Sequence, residues 1–106
     1  MRFITSRRDY QRVYKNNNKV LKGNLFIFLI KDNKIEDSLA VGIVVGRKVG
    51  KAVVRNKVKR RVKAFLRDLR PVTDSGKDIV IISKPETGST SWKEIKEDLT
   101  ELFAFI

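Results

Sequence analysis

The sequence predicts a single α+β domain over residues 1–106, a two-layer α/β sandwich in the order α-β-β-(β)-α-β-α, where the bracketed strand is weakly indicated. Three short apolar runs, at 25–30, 39–45 and 78–83, combine high β-propensity with the length of strands. Between the second and third runs, apolar residues recur at helical spacing, which predicts a helix there. This middle helix is expected to be a crossover between two strands.

The first helix is expected over residues 6–15. Ser6 is a favourable N-cap, and Asp9 stands three residues later, where a capping box usually has Glu. The apolar positions then recur at Tyr10, Val13 and Tyr14. A run of three asparagines at 16–18 ends the helix, because Asn competes for the backbone and tolerates left-handed turns. The weakly indicated strand follows near residues 20–22.

The next two strands predict a surface that another group can approach. The run LFIFLI at 25–30 is apolar on both faces, with Phe26 and Phe28 together on one of them. In the run LAVGIVV at 39–45, one face carries Val41, Ile43 and Val45, and the other carries Gly42, Val44 and Gly46. The second face is small enough to admit a close neighbour. If the two strands lie side by side, Phe26 and Phe28 are expected to form the aromatic wall of a groove there.

The middle helix, expected over residues 53–69, is strongly basic. Eleven of the chain's 24 lysines and arginines lie between Arg47 and Arg70, and Asp68 is the only acid among them. The apolar face consists of Val54, Val58, Val62, Phe65, Leu66 and Leu69. The opposite face consists of Arg55, Asn56, Lys59, Arg60, Lys63 and Arg67. Pro71 prevents continuation. Cations held on a docked helix predict a polyanionic partner, and RNA is the preferred interpretation.

The last helix begins at a capping box, Ser91 to Glu94, after a polar loop at 85–90. Its core face is expected to carry Trp92, Ile95, Leu99, Leu102 and Phe103. Its other face is predicted to be acidic, with Glu94, Glu97, Asp98 and Glu101. The charge of the domain is therefore distributed unevenly.

Composition excludes several classes of protein. The net charge of +12 and pI of about 10.3 favour nucleic acid. No apolar run reaches the roughly 20 residues that span a bilayer, and the N-terminus has no signal-peptide pattern, so we expect a cytoplasmic protein without a membrane partner. The chain has no Cys and no His, which removes thiol chemistry and the commonest general base. Glu36 and Asp37 are interpreted as loop acids, and no protein metal site is expected.

The residues alone leave two other functions open. A structural RNA-binding protein of ribosomal type would share this size and charge. A DNA-binding protein could place the basic helix in a major groove.

The segment KVGKAVVRNKVKRR resembles the bacterial ribonuclease P protein component. A basic dipeptide, a hydrophobic residue and Gly precede an Arg-Asn helix in that family, and the positions that match here are Arg47, Lys48, Gly50, Lys51, Ala52, Val53, Arg55, Asn56, Lys57, Lys59 and Arg60. The strand LAVGIVV, the later DIVIISKP and the Tyr10 and Tyr14 region also look like the family. The resemblance covers nearly the whole chain.

The resemblance implies a protein subunit that joins a large catalytic RNA in removing the 5′ leader of precursor tRNA, with no obligate protein partner. The RNA and its bound Mg²⁺ would do the chemistry, and the protein would hold no catalytic residue. The implied RNA-binding residues are Arg47, Lys48, Lys51, Arg55, Asn56, Lys57, Lys59, Arg60 and Lys63. The implied leader cleft consists of Tyr10, Arg12, Tyr14, Phe26, Phe28 and Val44, with Lys59 and Lys63 at its edge. The family also implies a left-handed crossover, against the general rule.

Overall fold

The structure, a computed structural model, describes residues 1–33, 39–69 and 76–106 and shows a five-stranded mixed sheet with three helices. The strands are β1 (Arg2–Phe3), β2 (Lys19–Lys22), β3 (Phe26–Asp32), β4 (Leu39–Val44) and β5 (Lys77–Ser83). The helices are α1 (Arg7–Asn16), α2 (Ala52–Asp68) and α3 (Trp92–Phe103). Two 3₁₀ turns lie at Arg47–Val49 and Pro85–Ser89.

The α+β class and the predicted order of elements are confirmed. Strand β1 is an addition, because two residues are too short to show a period in sequence. The predictions made for Glu36, Asp37 and Pro71 lie outside the described residues.

The strands follow the order β1-β4-β5-β3-β2. Strands β4 and β5 are parallel neighbours, and helix α2 connects them, so the predicted crossover helix is present. Strand β3 pairs antiparallel with β5 on one side and with β2 on the other. The hand of the crossover stays a prediction of the family resemblance.

The two faces of the sheet pack against different helices. On one face, α2 and α3 form the second layer of the predicted sandwich. The large, fully buried side chains of this main core include Phe28, Val41, Val58, Val62, Ile81, Ile95 and Leu99. On the other face, α1 covers a smaller cluster of Ile4, Val13, Ala40 and Val80. Helices α2 and α3 therefore lie on one face of the sheet, and α1 lies on the other.

Both predicted N-caps are present. The Asp9 backbone N–H donates to Ser6 Oγ over 3.1 Å at the start of α1. The Glu94 backbone N–H donates to Ser91 Oγ over 3.2 Å at the start of α3. Each hydroxyl satisfies a donor that the first helical turn leaves free, which fixes where each helix begins.

Asp98 is buried, although the sequence placed it on an acidic outer face of α3. Its carboxylate accepts backbone N–H groups from Asn24 at 3.0 Å, Leu25 at 3.0 Å and Phe26 at 3.1 Å. A Cβ on Gly23 would lie 2.7 Å from Asp98 Oδ2, so glycine is required for this approach. Because three hydrogen bonds replace the lost hydration, the burial is tolerated, and α3 is fastened to the start of β3.

Candidate nucleic-acid interface

Helix α2 presents polar side chains on the side that faces away from the sheet. Its inner side packs on the core through Val58, Val62 and Leu66, each at most 2% exposed. The outer side chains that are exposed include Asn56, Lys57, Lys59, Arg60 and Lys63. The predicted amphipathic helix is confirmed, and its cations lie together because they share the solvent side of one rigid element.

No carboxylate neutralises these cations within the described ranges. The ion pairs there are Arg12 with Asp9, at 3.4 Å, and Lys77 with Asp32, and neither includes a residue of α2. Unpaired cations on a fixed backbone produce a positive potential that attracts polyanions.

Arg55 differs from the other predicted RNA contacts because it is only half exposed. Its Nε is buried and has no hydrogen-bond partner. A buried donor without an acceptor costs free energy, so this guanidinium is incompletely satisfied in the free protein.

Three of the predicted contacts lie where the chain enters α2. Arg47 and Lys48 are exposed on the first 3₁₀ turn, and Lys51 precedes the helix; we call these three residues the basic corner. Val49 turns inward and is buried, while Gly50 adopts φ of +150°, a conformation that favours glycine. The inward Val49 and the glycine fix the backbone that carries the three cations.

Lys63 lies near the edge strand β1. Its Nζ is 5.6 Å from the centroid of the Phe3 ring, a cation–π distance. The outer cations of α2 therefore extend from the basic corner to the β1 edge of the sheet.

Tyr10 anchors α1 on the other face of the sheet. Its hydroxyl donates to the Ile43 carbonyl over 3.3 Å and accepts from the Ile43 N–H over 3.1 Å. A Cβ on Gly42 would lie 2.5 Å from Tyr10 Cε1, so the small residue predicted to admit a close neighbour does admit one. The ring is half-buried and fixed, and its main role in the free protein is to position α1.

Tyr14 presents the more accessible ring. It is 44% exposed and stacks on Tyr10, with 6.5 Å between ring centroids and 27° between ring planes. Burial, and to a smaller extent the nearby Tyr10, raises the pKa of the Tyr14 hydroxyl. The ring therefore stays neutral at physiological pH and offers a flat, uncharged surface for stacking.

The prediction that Phe26 and Phe28 line a cleft beside α1 is wrong. Both rings are fully buried on the face that α2 and α3 cover, and Phe28 contacts Phe103 edge-on at 4.9 Å between centroids. Register explains the error. Phe28 pairs with Ile81, and Ile81 pairs with Ile43, so these three side chains point to the main core.

The residues of β3 that face α1 are Ile27 and Leu29. Ile27 pairs with Ile82, which pairs with Val44, and these three side chains and that of Leu29 are half-buried. The predicted cleft residue Val44 thus lies in the cluster beneath α1. Ile27 and Leu29 were not predicted, because every residue of LFIFLI is apolar and periodicity alone cannot distinguish its faces. The same holds for Ile82, which lies in the continuous apolar run of β5. We propose that Tyr14 with Ile27, Leu29, Val44 and Ile82 lines a groove beside α1, and we call this set of residues the α1 groove.

Cations accompany the α1 groove along the helix. Arg7, Arg8 and Arg12 of α1 are exposed. Arg12 is partly neutralised, since its Nη1 lies 3.4 Å from the Asp9 carboxylate one turn earlier. Apolar and aromatic surface with cations beside it is typical of sites for single-stranded nucleic acid.

The fold and its two surfaces define a small α+β protein of the nucleic-acid-binding class. The family model described as Ribonuclease P matches residues 2–106, and the chain belongs to that family. It is accordingly a protein subunit of the endoribonuclease ribonuclease P, a ribonucleoprotein enzyme of tRNA processing.

Relatives and solved structures agree with this assignment. The ribonuclease P protein component of Limosilactobacillus fermentum is 34% identical over 96 residues, which are 91% of this chain and 83% of that protein. The structure of the RNase P protein from Thermotoga maritima matches with a TM-score of 0.84 and 34% identity, covering 97% of this chain and 96% of the other. The Staphylococcus aureus RNase P protein matches with a TM-score of 0.86 and 27% identity, covering 97% and 93%.

Proposed function

We propose that this subunit holds two RNAs on opposite faces of its sheet. The catalytic RNA binds the outer side of α2 and the basic corner, through Arg47, Lys48, Lys51, Arg55, Asn56, Lys57, Lys59, Arg60 and Lys63. The single-stranded 5′ leader of precursor tRNA lies in the α1 groove. The observation that carries the proposal is the set of α2 cations without a carboxylate partner in the described parts of the chain.

In the α1 groove, Tyr14 offers its exposed ring to one base of the leader, and Val44 contributes apolar contact. Arg12, an exposed cation of the same helix, would neutralise a leader phosphate. Base stacking on an aromatic ring tolerates any sequence, because every base has a π-face. A subunit that serves many precursor tRNAs needs this tolerance. Phe26 and Phe28 support the groove only from the opposite face of the sheet.

The RNA carries out the hydrolysis in this proposal, with Mg²⁺ held mainly on RNA phosphates. The protein has no His or Cys to act as a general base or nucleophile. Among the described residues, no three acidic side chains gather into a cation site, and the cations of α2 would repel a divalent ion. The protein's own contribution is to neutralise phosphate charge and to position the leader.

We further propose that the chain acts as a single RNA-binding domain in the cytoplasm without an obligate protein partner. No described helix has the length and apolar character that crossing a bilayer requires.

Reconstitution tests the proposal directly. Catalytic RNA would be assayed on precursor tRNA at low Mg²⁺, with and without this protein. We expect the protein to stimulate cleavage. The stimulation should be larger for substrates with a full-length leader than for substrates whose leader is truncated. No stimulation of any substrate would favour a structural role in another RNA particle and would refute the proposal.

Salt dependence tests the contacts of α2. If about six phosphates of structured RNA are contacted, the logarithm of the affinity for catalytic RNA falls against the logarithm of salt with a slope of roughly −4 to −5. Arg60→Ala is expected to weaken binding and to make this slope shallower by about 1. The fold should be intact, because Arg60 is exposed on the outer side of α2.

Lys93→Ala is the matched control, since Lys93 is an exposed cation on α3. It removes the same charge from the helix that carries Glu94, Glu97 and Glu101. A salt slope near zero for the unmodified protein would contradict the assignment of α2 as the site for catalytic RNA. Equal losses of affinity for Arg60→Ala and Lys93→Ala would contradict it as well.

A further inference from the structure

The second 3₁₀ turn, Pro85–Ser89, packs directly against the backbone of the basic corner. A Cβ on Gly88 would lie 2.2 Å from the Val49 carbonyl oxygen and 3.2 Å from Val54 Cγ1. The first of these groups is backbone, so any side chain at position 88 must push this turn and the chain between Arg47 and Lys51 apart. We call Pro85–Ser89 the buttress turn.

The buttress turn is itself fastened to the sheet. Thr87 is buried, and its Oγ1 donates to the Lys84 carbonyl over 2.8 Å. The Lys84 backbone N–H donates to the Leu25 carbonyl over 2.8 Å, and Lys84 Nζ donates to the Gly23 carbonyl over 2.7 Å. The turn is thus tied to the β2–β3 connection and can hold a neighbour in place.

Arg61, a cation of α2, is hydrogen-bonded to the chain just after the buttress turn. Arg61 is half-buried, and its Nη1 donates to the Thr90 carbonyl over 3.2 Å, one residue beyond the buttress turn. The Arg61 guanidinium is therefore hydrogen-bonded within the protein, whereas neighbouring Arg60 is exposed.

We propose that the buttress turn sets the position of the basic corner, with Gly88 and Arg61 as positioning residues for the catalytic RNA. Neither residue contacts the RNA. The turn keeps the Arg47–Lys51 backbone in its binding conformation before the RNA arrives, which lowers the ordering cost of association. This inference rests on the proposed role of α2 in binding catalytic RNA.

The test compares Gly88→Ala with Gly46→Ala. Gly88 lies in the buttress turn and Gly46 directly precedes the first 3₁₀ turn, and each change adds one methyl group. A Cβ at Gly46, however, meets no atom within 4 Å. Gly46 also has φ of −80°, which alanine adopts readily. We expect Gly88→Ala to lose about tenfold or more in affinity for catalytic RNA, because two or more phosphate contacts depend on the corner. Gly46→Ala should bind like the unmodified protein.

Amide hydrogen exchange separates positioning from general destabilisation. In the folded Gly88→Ala protein, exchange is expected to rise at Val49 and Gly50, whose N–H groups close the first 3₁₀ turn on Gly46 and Arg47, and to stay unchanged in α1 and α3. If Gly88→Ala does not fold, Arg61→Met and Arg67→Met carry the test, since each removes one positive charge from α2. Arg61→Met should then show the larger loss of affinity and the faster exchange at Val49 and Gly50.

Two results would overturn the inference while leaving the proposed function intact. One is equal RNA affinity of Gly88→Ala and Gly46→Ala, with Arg60→Ala still weakened. The other is equal losses for Arg61→Met and Arg67→Met. If Arg60→Ala binds as well as the unmodified protein, the proposed role of α2 fails first.

Discussion

Asp98→Ala is expected to lower the free energy of unfolding by about 4 kcal/mol. The change removes a carboxylate that accepts three backbone N–H groups, two of them in the protein interior. Charge-assisted hydrogen bonds contribute more than neutral ones, and each donor left buried without an acceptor costs about 1–3 kcal/mol. The gain in helix propensity on changing Asp to Ala offsets only a few tenths of a kcal/mol. Urea unfolding followed by circular dichroism measures the difference.

Glu97→Ala is the matched control, because Glu97 is the preceding acid on α3 and is exposed. Its expected effect is within about 0.5 kcal/mol, as for most surface substitutions. Asp98→Asn should fall between the two, since the amide keeps one acceptor oxygen and adds an unwanted donor. A loss for Asp98→Ala no larger than that for Glu97→Ala would show that the carboxylate does not stabilise the start of β3.

Tyr14→Ala is expected to weaken binding of precursor tRNA to the reconstituted enzyme by about 1–3 kcal/mol, the contribution of one stacked base. Binding of mature tRNA, which has no leader, should not change. The physical reason is that Tyr14 is the exposed ring of the stacked pair on α1, while its partner is fixed on the sheet. The measurement is the ratio of the two dissociation constants for each variant.

Tyr14→Phe is the control for stacking, because it keeps the ring and removes only the hydroxyl. It should bind precursor tRNA nearly as tightly as the unmodified protein. Tyr10→Ala is a poor substitute for Tyr14→Ala, since it would also remove the hydroxyl that bridges α1 to Ile43. Equal losses of precursor and mature tRNA for Tyr14→Ala would remove this residue from the leader site.

The helices could be predicted within a residue or so because their signals are local. Ser6 and Ser91 cap the helices they were expected to cap. The valine spacing of α2 gave its buried side, and the exposed cations followed from the same period. These features depend on residues three or four positions apart, and such contacts form inside one element whatever the rest of the chain does.

The errors arose where the outcome depends on distant partners. Phe26 and Phe28 were assigned to the wrong face of the sheet, because the side a strand turns to a groove depends on its pairing with β5, more than fifty residues away. Asp98 was assigned to the surface by its neighbours on α3, although its carboxylate accepts the N–H groups of Leu25 and Phe26 in the interior. Neither the pairing of β3 with β5 nor the hydrogen bonds of Asp98 can be predicted from local periodicity.

By itself, the sequence determined the α+β class, the helices and the rigid cationic side of α2, since spacing along one helix places side chains without reference to other elements. Only the tertiary structure decided which strand face lies under α1, that Tyr10 is an anchor while Tyr14 is accessible, and that Gly88 packs against the backbone of the basic corner. These facts depend on strand register and on the approach of backbone segments distant in the chain, and both are set by the packing of the whole domain.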